Sequence, residues 1–273
     1  MGMREVRFGL SDGVRVAVDW VRDGWDALAA NPRRPTLLLV GVLLVGVVVV
    51  GLVMWPRHEG GTESAANPLG PVVVSNADLP ANTWSGWTEK SIDKRPAAAA
   101  PLKAAQATPP ECLPGGAEQQ RMQQLSVSGP QWAGRNFSQL GLQAKADSMI
   151  VRSDADFGSV IDAWVAKCSH ATVTVKGEQT LSVDVRRIGI TPSTYRLSDA
   201  RLVAQSVTPQ VANAETSATT LVALGRSNAY LMTVTLTFPG KVTVDAINTL
   251  DTVWRAQAAK LVAYQKAGKL NPR

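Results

Sequence analysis

An uncharged run of twenty residues constrains this chain more than any other feature. Residues 36–55, TLLLVGVLLVGVVVVGLVMW, contain no Asp, Glu, Lys or Arg. A helix of that length spans about 30 Å, which matches the hydrocarbon core of a bilayer. A buried core helix rarely runs so far without a polar face, and a cleaved signal peptide has a shorter apolar region followed by small residues. The run therefore predicts an uncleaved transmembrane helix.

The charges on either side of the run predict its orientation. Six arginines precede it, including Arg33 and Arg34, whereas Arg57 is the only Lys or Arg between the run and Lys90. The more basic flank of a membrane span stays in the cytosol. We therefore expect a single-pass protein of the inner (plasma) membrane, with a cytosolic N-terminus and a periplasmic or extracytoplasmic C-terminal part.

The cytosolic arm, residues 1–35, contains a pattern typical of a short amphipathic helix. Apolar residues recur at spacings of three and four between residues 10 and 30, and Pro32 and Pro35 end the pattern. Such a helix lies on the inner leaflet or docks on a membrane partner. We expect its two tryptophans, Trp20 and Trp25, to contact that partner.

Residues 56–108 are predicted to form an extracytoplasmic tether rich in Pro and Ala. Nine of the sixteen prolines lie between residues 56 and 114, and little in this stretch can bury a core. Within it, residues 71–75 (PVVVS) are expected to add as a strand to a sheet edge. Trp84 and Trp87 have two open interpretations, since they either dock on the outer domain or contact a partner protein.

The remaining residues predict an α+β domain over 109–268, followed by a short tail at 269–273. Its pattern is a run of strands with helices at both ends, which favours an antiparallel sheet flanked by helices. Ser153 or Asp154 is expected to cap the middle helix. The predicted helices cover 117–125, 154–167 and 242–266, and the predicted strands lie within 132–153, 171–175, 181–188, 199–207, 217–226 and 230–238.

The chain has two cysteines, Cys112 and Cys168. Outside the cytosol a single pair most simply forms a disulfide, while two separate buried thiols are the alternative. A bridge between them would close a long loop and add about 4 kcal/mol on the chain-entropy account.

Catalytic patterns are absent from the sequence. Its two histidines are His58 and His170, which with two distant cysteines supply neither a zinc ligand set nor a nucleophilic triad, and no Gly-rich phosphate loop occurs. The sequence therefore predicts a protein that is not an enzyme and holds no metal or cofactor. The net charge of +6 lies in residues 115–273, which suits anionic lipid headgroups or an acidic partner but also an ordinary basic domain. Nucleic acid is not expected across the membrane.

The order of parts resembles the trehalose monomycolate transport factor A family of the mycobacterial cell envelope, which assists an RND-type lipid transporter. The outer part resembles, more loosely, the Mog1/PsbP-like domains of envelope lipoproteins and kinase sensors. The features that carry the resemblance are the Arg33-Arg34-Pro35 boundary, the apolar run, and the helix–sheet–helix order over 117–266. The resemblance implies a non-catalytic accessory subunit whose partner is an RND-type transporter in the same membrane.

Two other functions stay open. One is a module that binds membrane lipid or glycolipid in a pocket between the sheet and the closing helix, lined by Trp254 and Tyr264. The other is a sensor domain that reports on the state of the envelope.

Overall fold

The computed structural model describes residues 67–92, 105–113, 115–127, 129–139, 141, 143–175, 180–189, 197–210 and 217–270. The predicted cytosolic arm with Trp20 and Trp25, and the predicted transmembrane helix, lie outside these residues. Within the described part of the chain, no helix combines the length and apolarity needed to cross a membrane.

Nine strands of the described residues form one sheet. Their order across the sheet is β1-β3-β4-β9-β8-β7-β6-β5-β2, and each neighbouring pair is antiparallel. The strands are β1 Thr88–Ser91, β2 Ala105–Thr108, β3 Trp132–Gln139, β4 Ala144–Arg152, β5 Ala171–Val175, β6 Thr180–Arg187, β7 Ser198–Pro209, β8 Ala218–Ser227 and β9 Tyr230–Pro239. The predicted α+β class with an antiparallel sheet is confirmed.

Four α-helices accompany the sheet in the described residues: α1 Ala81–Trp84, α2 Ala117–Val127, α3 Phe157–Lys167 and α4 Val244–Lys266. The N-cap of α3 is Asp156, whose carboxylate accepts from the Ser159 N–H at 3.0 Å, so the prediction of Ser153 or Asp154 as the cap is wrong. Ser153 is held at the end of the sheet instead, because its N–H donates to the Ala229 carbonyl at 2.9 Å.

The first face of the sheet is covered by α4. Because side chains alternate along a strand, residues that are register partners share a face, and Leu221, Leu236 and Ala146 are such neighbours. Gly225 on β8 lets the ring of Trp254 approach closely, since a Cβ there would lie 3.3 Å from Trp254 Cζ2. Other buried side chains of this face include Ile150, Leu202, Ala223, Met232 and Val234.

The second face carries α3, which is anchored to β7 by the ion pair between Asp162 and Arg201. Leu224 and Arg201 are register partners and therefore lie on this same face. The predicted disulfide is confirmed: Cys112, in the 3₁₀ turn Pro110–Cys112, bonds Cys168 at the end of α3, with Cα atoms 5.5 Å apart. The bridge ties the segment before α2 to the helix that packs on the second face.

Residues 67–92, which the sequence assigns to the tether, belong to the folded domain. Leu69 and residues 72–74 are buried in the core cluster of the first face, and β1 and β2 form the two edges of the sheet. Residues 71–75 do not form the expected edge strand, because Gly70–Val72 makes a 3₁₀ turn and the following valines pack beside α4. A local apolar cluster therefore outweighs the Pro- and Ala-rich composition around it.

Candidate functional site

Trp84 and Trp87, the expected partner contacts, pack inside their own domain. Their rings stack with centroids 4.3 Å apart, and Trp84 meets Phe137 edge-on at 5.6 Å. The two side chains are only 4 % and 7 % exposed, and Trp84 Nε1 donates to Asn76 Oδ1 at 2.8 Å. Of the two interpretations left open by the sequence, the structure favours docking on the outer domain, and neither ring offers a surface to a partner.

Trp254 and Tyr264, the expected lining of a lipid pocket, contribute to the core beneath α4. Trp254 is 2 % exposed, and Tyr264 is partly buried against the same cluster. Lys269 Nζ lies 5.3 Å from the centroid of the Tyr264 ring. These contacts give both residues a packing role, and none of them supports a lipid-binding role.

His170 lies at the surface, where it pairs with Asp184. Its Nδ1 is 2.7 Å from Asp184 Oδ1, and Ser182 Oγ donates to the other carboxylate oxygen of Asp184 at 3.2 Å. A catalytic triad needs the serine bonded to the histidine, whereas here both bond the carboxylate. The described residues also contain no cluster of three or more His, Cys, Asp or Glu that could hold a metal.

One polar site holds the N-terminal segment against α4. Gln257 Oε1 accepts from the Val74 N–H at 2.9 Å and from Ser148 Oγ at 2.8 Å, while Gln257 Nε2 donates to the Val72 carbonyl at 3.0 Å. Lys260 Nζ donates to the Val73 carbonyl at 3.2 Å and to Asp78 at 2.5 Å. These hydrogen bonds pair backbone N–H and carbonyl groups of residues 72–74, which are not part of the sheet.

The contact with Lys260 affects the pKa of Asp78. Its partial burial favours the neutral form, but the hydrogen bonds from Lys260 and Ser75 outweigh that effect and lower the pKa of Asp78. The Asp78–Lys260 pair is therefore charged at neutral pH and helps to fix residues 67–78 on the helix.

A second polar site joins α3 to the ends of β6 and β7. The Asp162 carboxylate lies 3.0 Å from Arg201 Nε and 2.5 Å from Arg187 Nη2. The hydrogen bond from Arg201 is the main cause of the lowered pKa of Asp162. Both arginines line a surface depression of about 260 Å³. One carboxylate thus pairs with two guanidinium groups, and Asp199 and Asp156 lie close enough to Arg201 to interact with its charge.

A third polar site, which we name the polar band, crosses the second face of the sheet. Its seven side chains occupy two adjacent rows of register partners on one face. The first row contains Lys145, Thr237, Thr220 and Gln205, and the second contains Asn136, Asp147 and Thr235. Thr220, Thr235 and Gln205 are buried, Asn136, Asp147 and Thr237 are partly exposed, and Lys145 is exposed.

The polar band is incompletely satisfied. Asp147 accepts from Asn136 Nδ2 and from Thr235 Oγ1, the latter at 3.1 Å, and burial raises its pKa. Gln205 Nε2 has no hydrogen-bond partner although the side chain is only 7 % exposed, and Thr233 Oγ1, beside the band on β9, has none at 4 % exposure. Buried polar atoms are nearly always paired in folded proteins.

Sequence reasoning did not find the polar band. The stretch Thr233–Thr237 on β9 places a threonine at every second position, which is a visible signal. The alternation of threonines alone, however, does not indicate which face of the sheet is covered. The other members of the band, such as Asp147 and Gln205, lie on strands distant in sequence from β9.

Comparisons with known proteins add little. No family model and no curated protein matches the chain. Among solved structures, the extracellular domain of PknH from Mycobacterium tuberculosis is 16 % identical, covers 77 % of this chain and all of its own, and has a TM-score of 0.43. A putative uncharacterized protein (Rv0999 ortholog) from Mycobacterium smegmatis is 12 % identical, covers 69 % of this chain and all of its own, and has a TM-score of 0.33. At TM-scores below 0.5, nothing about the function of this chain follows from either similarity.

Proposed function

We propose that this chain is a non-catalytic, membrane-anchored accessory subunit of a cell-envelope lipid export complex. Its partner is an RND-type transporter in the same membrane, with trehalose monomycolate as the exported glycolipid, as the family resemblance implies. The domain that faces the partner is extracytoplasmic, which agrees with its disulfide between Cys112 and Cys168, because such bonds persist in oxidising compartments.

The observation that carries the proposal is the early start of the folded domain. Eleven residues, 56–66, separate the predicted span from residue 67, and they reach about 40 Å at most when fully extended. A tether running to residue 108 would instead reach about 180 Å. A domain held so near the bilayer suits contact with the outer portion of a neighbouring membrane protein more than capture of distant targets.

Gln257 and Lys260 hold the start of the folded domain in place. Their bonds to residues 72–74 and to Asp78 attach the N-terminal segment to α4. Residues 72–78 therefore belong to the same folded unit as α4 and the sheet.

The test is affinity purification of the full-length chain from native membranes in mild detergent, with mass spectrometry of co-purified proteins. We expect an RND-type transporter in near-stoichiometric amount. Replacement of Trp20 and Trp25 by Ala should reduce its recovery, because large aromatic residues commonly dominate binding energy at interfaces. Asp23→Asn, in the same predicted helix, is the matched control and should leave recovery unchanged.

Trp84 and Trp87 are unsuitable for that test, since their replacement would disturb the core. Recovery of the chain without any transporter, from membranes that contain one, contradicts the proposal. Equal recovery by the Trp20/Trp25 double variant and the parent contradicts only the assignment of these residues as contacts.

A further inference from the structure

The described domain begins at one end of the sheet. Asn67 Nδ2 donates to the Trp132 carbonyl at 2.5 Å, and Trp132 is the first residue of β3. Trp132 pairs with Val151 across β3 and β4, and Val151 pairs with Leu231 near the start of β9. The end of the sheet that carries the β8–β9 turn is therefore the end to which the predicted span is connected.

The C-terminus of α4 lies at this end as well. Gln265 Nε2 donates to the Ser227 carbonyl at 3.1 Å, and Ser227 Oγ donates to Gln265 Oε1 at 2.7 Å. Ser227 is the last residue of β8, directly before the turn. Lys266 and Lys269 follow Gln265 and are exposed, and Lys269 Nζ lies 5.3 Å from the centroid of the Tyr264 ring. Two exposed lysines thus lie at the end of the domain where the chain enters.

Arg152 adds a third basic residue on the α4 side of this end. It is the last residue of β4 and the register partner of Tyr230, which is buried in the first-face core. Register partners share a face, so Arg152 lies on the first face. The ion pairs among the described residues involve neither Arg152 nor the two lysines. We name Arg152, Lys266 and Lys269 the basic end.

The nearest carboxylates lie on the other face, around Arg226. Asp199 Oδ2 is 3.8 Å from Arg226 Nε. Asp154 lies between the two residues whose carbonyls accept from Arg226, and Asp156 caps α3. Positive and negative charges at this end of the sheet are therefore separated across its two faces, and the α4 side is the more basic.

We propose that the basic end lies on the surface of the bilayer that anchors the chain and binds anionic phospholipid headgroups. Lys and Arg side chains near a membrane are attracted by anionic lipids, and the contributions of several such side chains add up. The proposal depends on the predicted transmembrane helix at 36–55. It goes beyond the accessory role proposed above, because it requires lipid and no transporter.

The length of the linker determines which end of the domain can face the membrane. Residues 56–66 reach about 40 Å when fully extended. Strands β8 and β9 have ten residues each, which corresponds to about 33 Å. To turn the opposite end of the sheet towards the bilayer, the linker would have to run back along the domain for most of its own length. The entry end is therefore the one that the linker keeps near the lipid headgroups.

The two lysines also have an ordinary structural role to be separated from lipid binding. Lys266 lies in the last turn of α4, where a positive charge compensates the helix dipole. That interaction is the same in any lipid. A dependence on anionic lipid therefore distinguishes the proposed contact from a role in the helix alone.

The experiment places the full-length chain in nanodiscs and measures energy transfer from a dye on the protein to acceptor-labelled lipid headgroups. The dye is attached in separate variants, Ala263→Cys and Val244→Cys, at exposed positions near the two ends of α4. Cys112 and Cys168 are bonded to each other, so only the introduced thiol reacts. With phosphatidylglycerol in the bilayer, we expect stronger transfer from residue 263 than from residue 244. In phosphatidylcholine alone, the transfer from residue 263 should fall.

The double variant Lys266→Gln/Lys269→Gln tests the basic end directly. In bilayers with phosphatidylglycerol, the ratio of docked to undocked domains should fall at least about tenfold. The matched control is Lys145→Gln/Lys241→Gln, which removes two positive charges from exposed positions at the opposite end of the sheet. Because its net charge equals that of the first double variant, the control should keep the parental transfer from residue 263.

Four results would overturn the proposal. The first is equal transfer from residue 263 in anionic and neutral bilayers, and the second is stronger transfer from residue 244 than from residue 263. The third is an equal effect of the two double variants, which would indicate a general influence of net charge. The fourth is failure of the full-length chain to insert into the nanodisc, since the predicted span would then be wrong.

Discussion

The side-chain amide of Gln257 accepts a hydrogen bond from the backbone N–H of Val74 at 2.9 Å, although 183 residues separate the two. The same amide donates to the Val72 carbonyl at 3.0 Å. One glutamine on α4 therefore pairs backbone groups on both sides of Val73, where the chain leaves the 3₁₀ turn, as a neighbouring strand would otherwise do. This explains how three consecutive valines are buried without joining the sheet.

Gln257→Leu should destabilise the domain strongly. The change leaves the Val74 N–H, the Val72 carbonyl and the Ser148 hydroxyl without their partner in a buried place, and unsatisfied buried groups cost about 1–3 kcal/mol each. Allowing for relaxation, we expect the free energy of unfolding to fall by about 3 kcal/mol in urea titrations followed by tryptophan fluorescence.

Gln265→Leu on the same helix is the matched control. Gln265 bonds the Ser227 carbonyl and hydroxyl at a partly exposed site, where water can replace the lost partner. We expect a loss of less than about 1 kcal/mol. Similar losses for the two variants would show that the Gln257 amide does not hold the segment.

The order of elements in the outer domain could be predicted from the sequence because each element carries a strong local signal. The helix around Ile161 and Trp164 has a regular apolar period, and the strands around Val183 and Leu221 are rich in β-branched and apolar residues. The strand predicted over 217–226 matches β8, which runs to Ser227, and the hairpin turns at Asn228, whose φ is +51°. Gly225 makes room for the Trp254 ring and is not part of the turn.

The candidate sites could not be predicted, because they depend on residues that only the fold brings together. Trp84 and Trp87 look like exposed interface residues in a polar segment until Phe137 and the first-face core are placed beneath them. Asp147 and Gln205 share one band only through the register of four strands. The disulfide was predictable because two cysteines allow one intramolecular pairing.

Removal of the disulfide tests how much the link between Cys112 and Cys168 contributes. The two are separated by 56 residues, and on the chain-entropy account a loop of that size stabilises the fold by about 4 kcal/mol. The double Ser variant should lose that amount in urea titration, and reduction of the parent protein should produce the same loss. A loss below about 1 kcal/mol would contradict a structural role for the bridge.

Asp162→Asn should weaken the attachment of α3 to the sheet in a pH-dependent manner. The hydrogen bond and charge of Arg201 lower the folded-state pKa of Asp162, so its stabilisation is present above the unfolded pKa of about 4 and is lost as pH falls through the lower folded value. We expect the variant to lose about 1 kcal/mol at pH 7, and to match the parent at pH 2.

The control for this comparison is Asp251→Asn, which removes an exposed pair between Asp251 and Arg255 on α4. Such pairs at spacing i, i+4 contribute less than about 0.5 kcal/mol. A difference between Asp162→Asn and the parent that persists unchanged at pH 2 would mean that packing, not charge, causes the loss.

Asp147→Asn should stabilise the domain at neutral pH. Burial raises the folded-state pKa of Asp147, so the folded state favours the protonated form; the parent is most stable with respect to this group below the unfolded pKa of about 4 and loses stability as pH rises through the folded value. An Asn at this position is neutral throughout and keeps hydrogen-bonding groups opposite Asn136 and Thr235. We expect a gain of about 1 kcal/mol at pH 7 that shrinks towards zero in acid, measured by urea titration at several pH values.

Asp184→Asn is the control for this comparison. Asp184 lies at an exposed site paired with His170, so its replacement should change the free energy of unfolding little. A less stable Asp147→Asn protein at pH 7 would show that the ionised carboxylate contributes to the fold through Asn136 and Thr235, contrary to the burial argument.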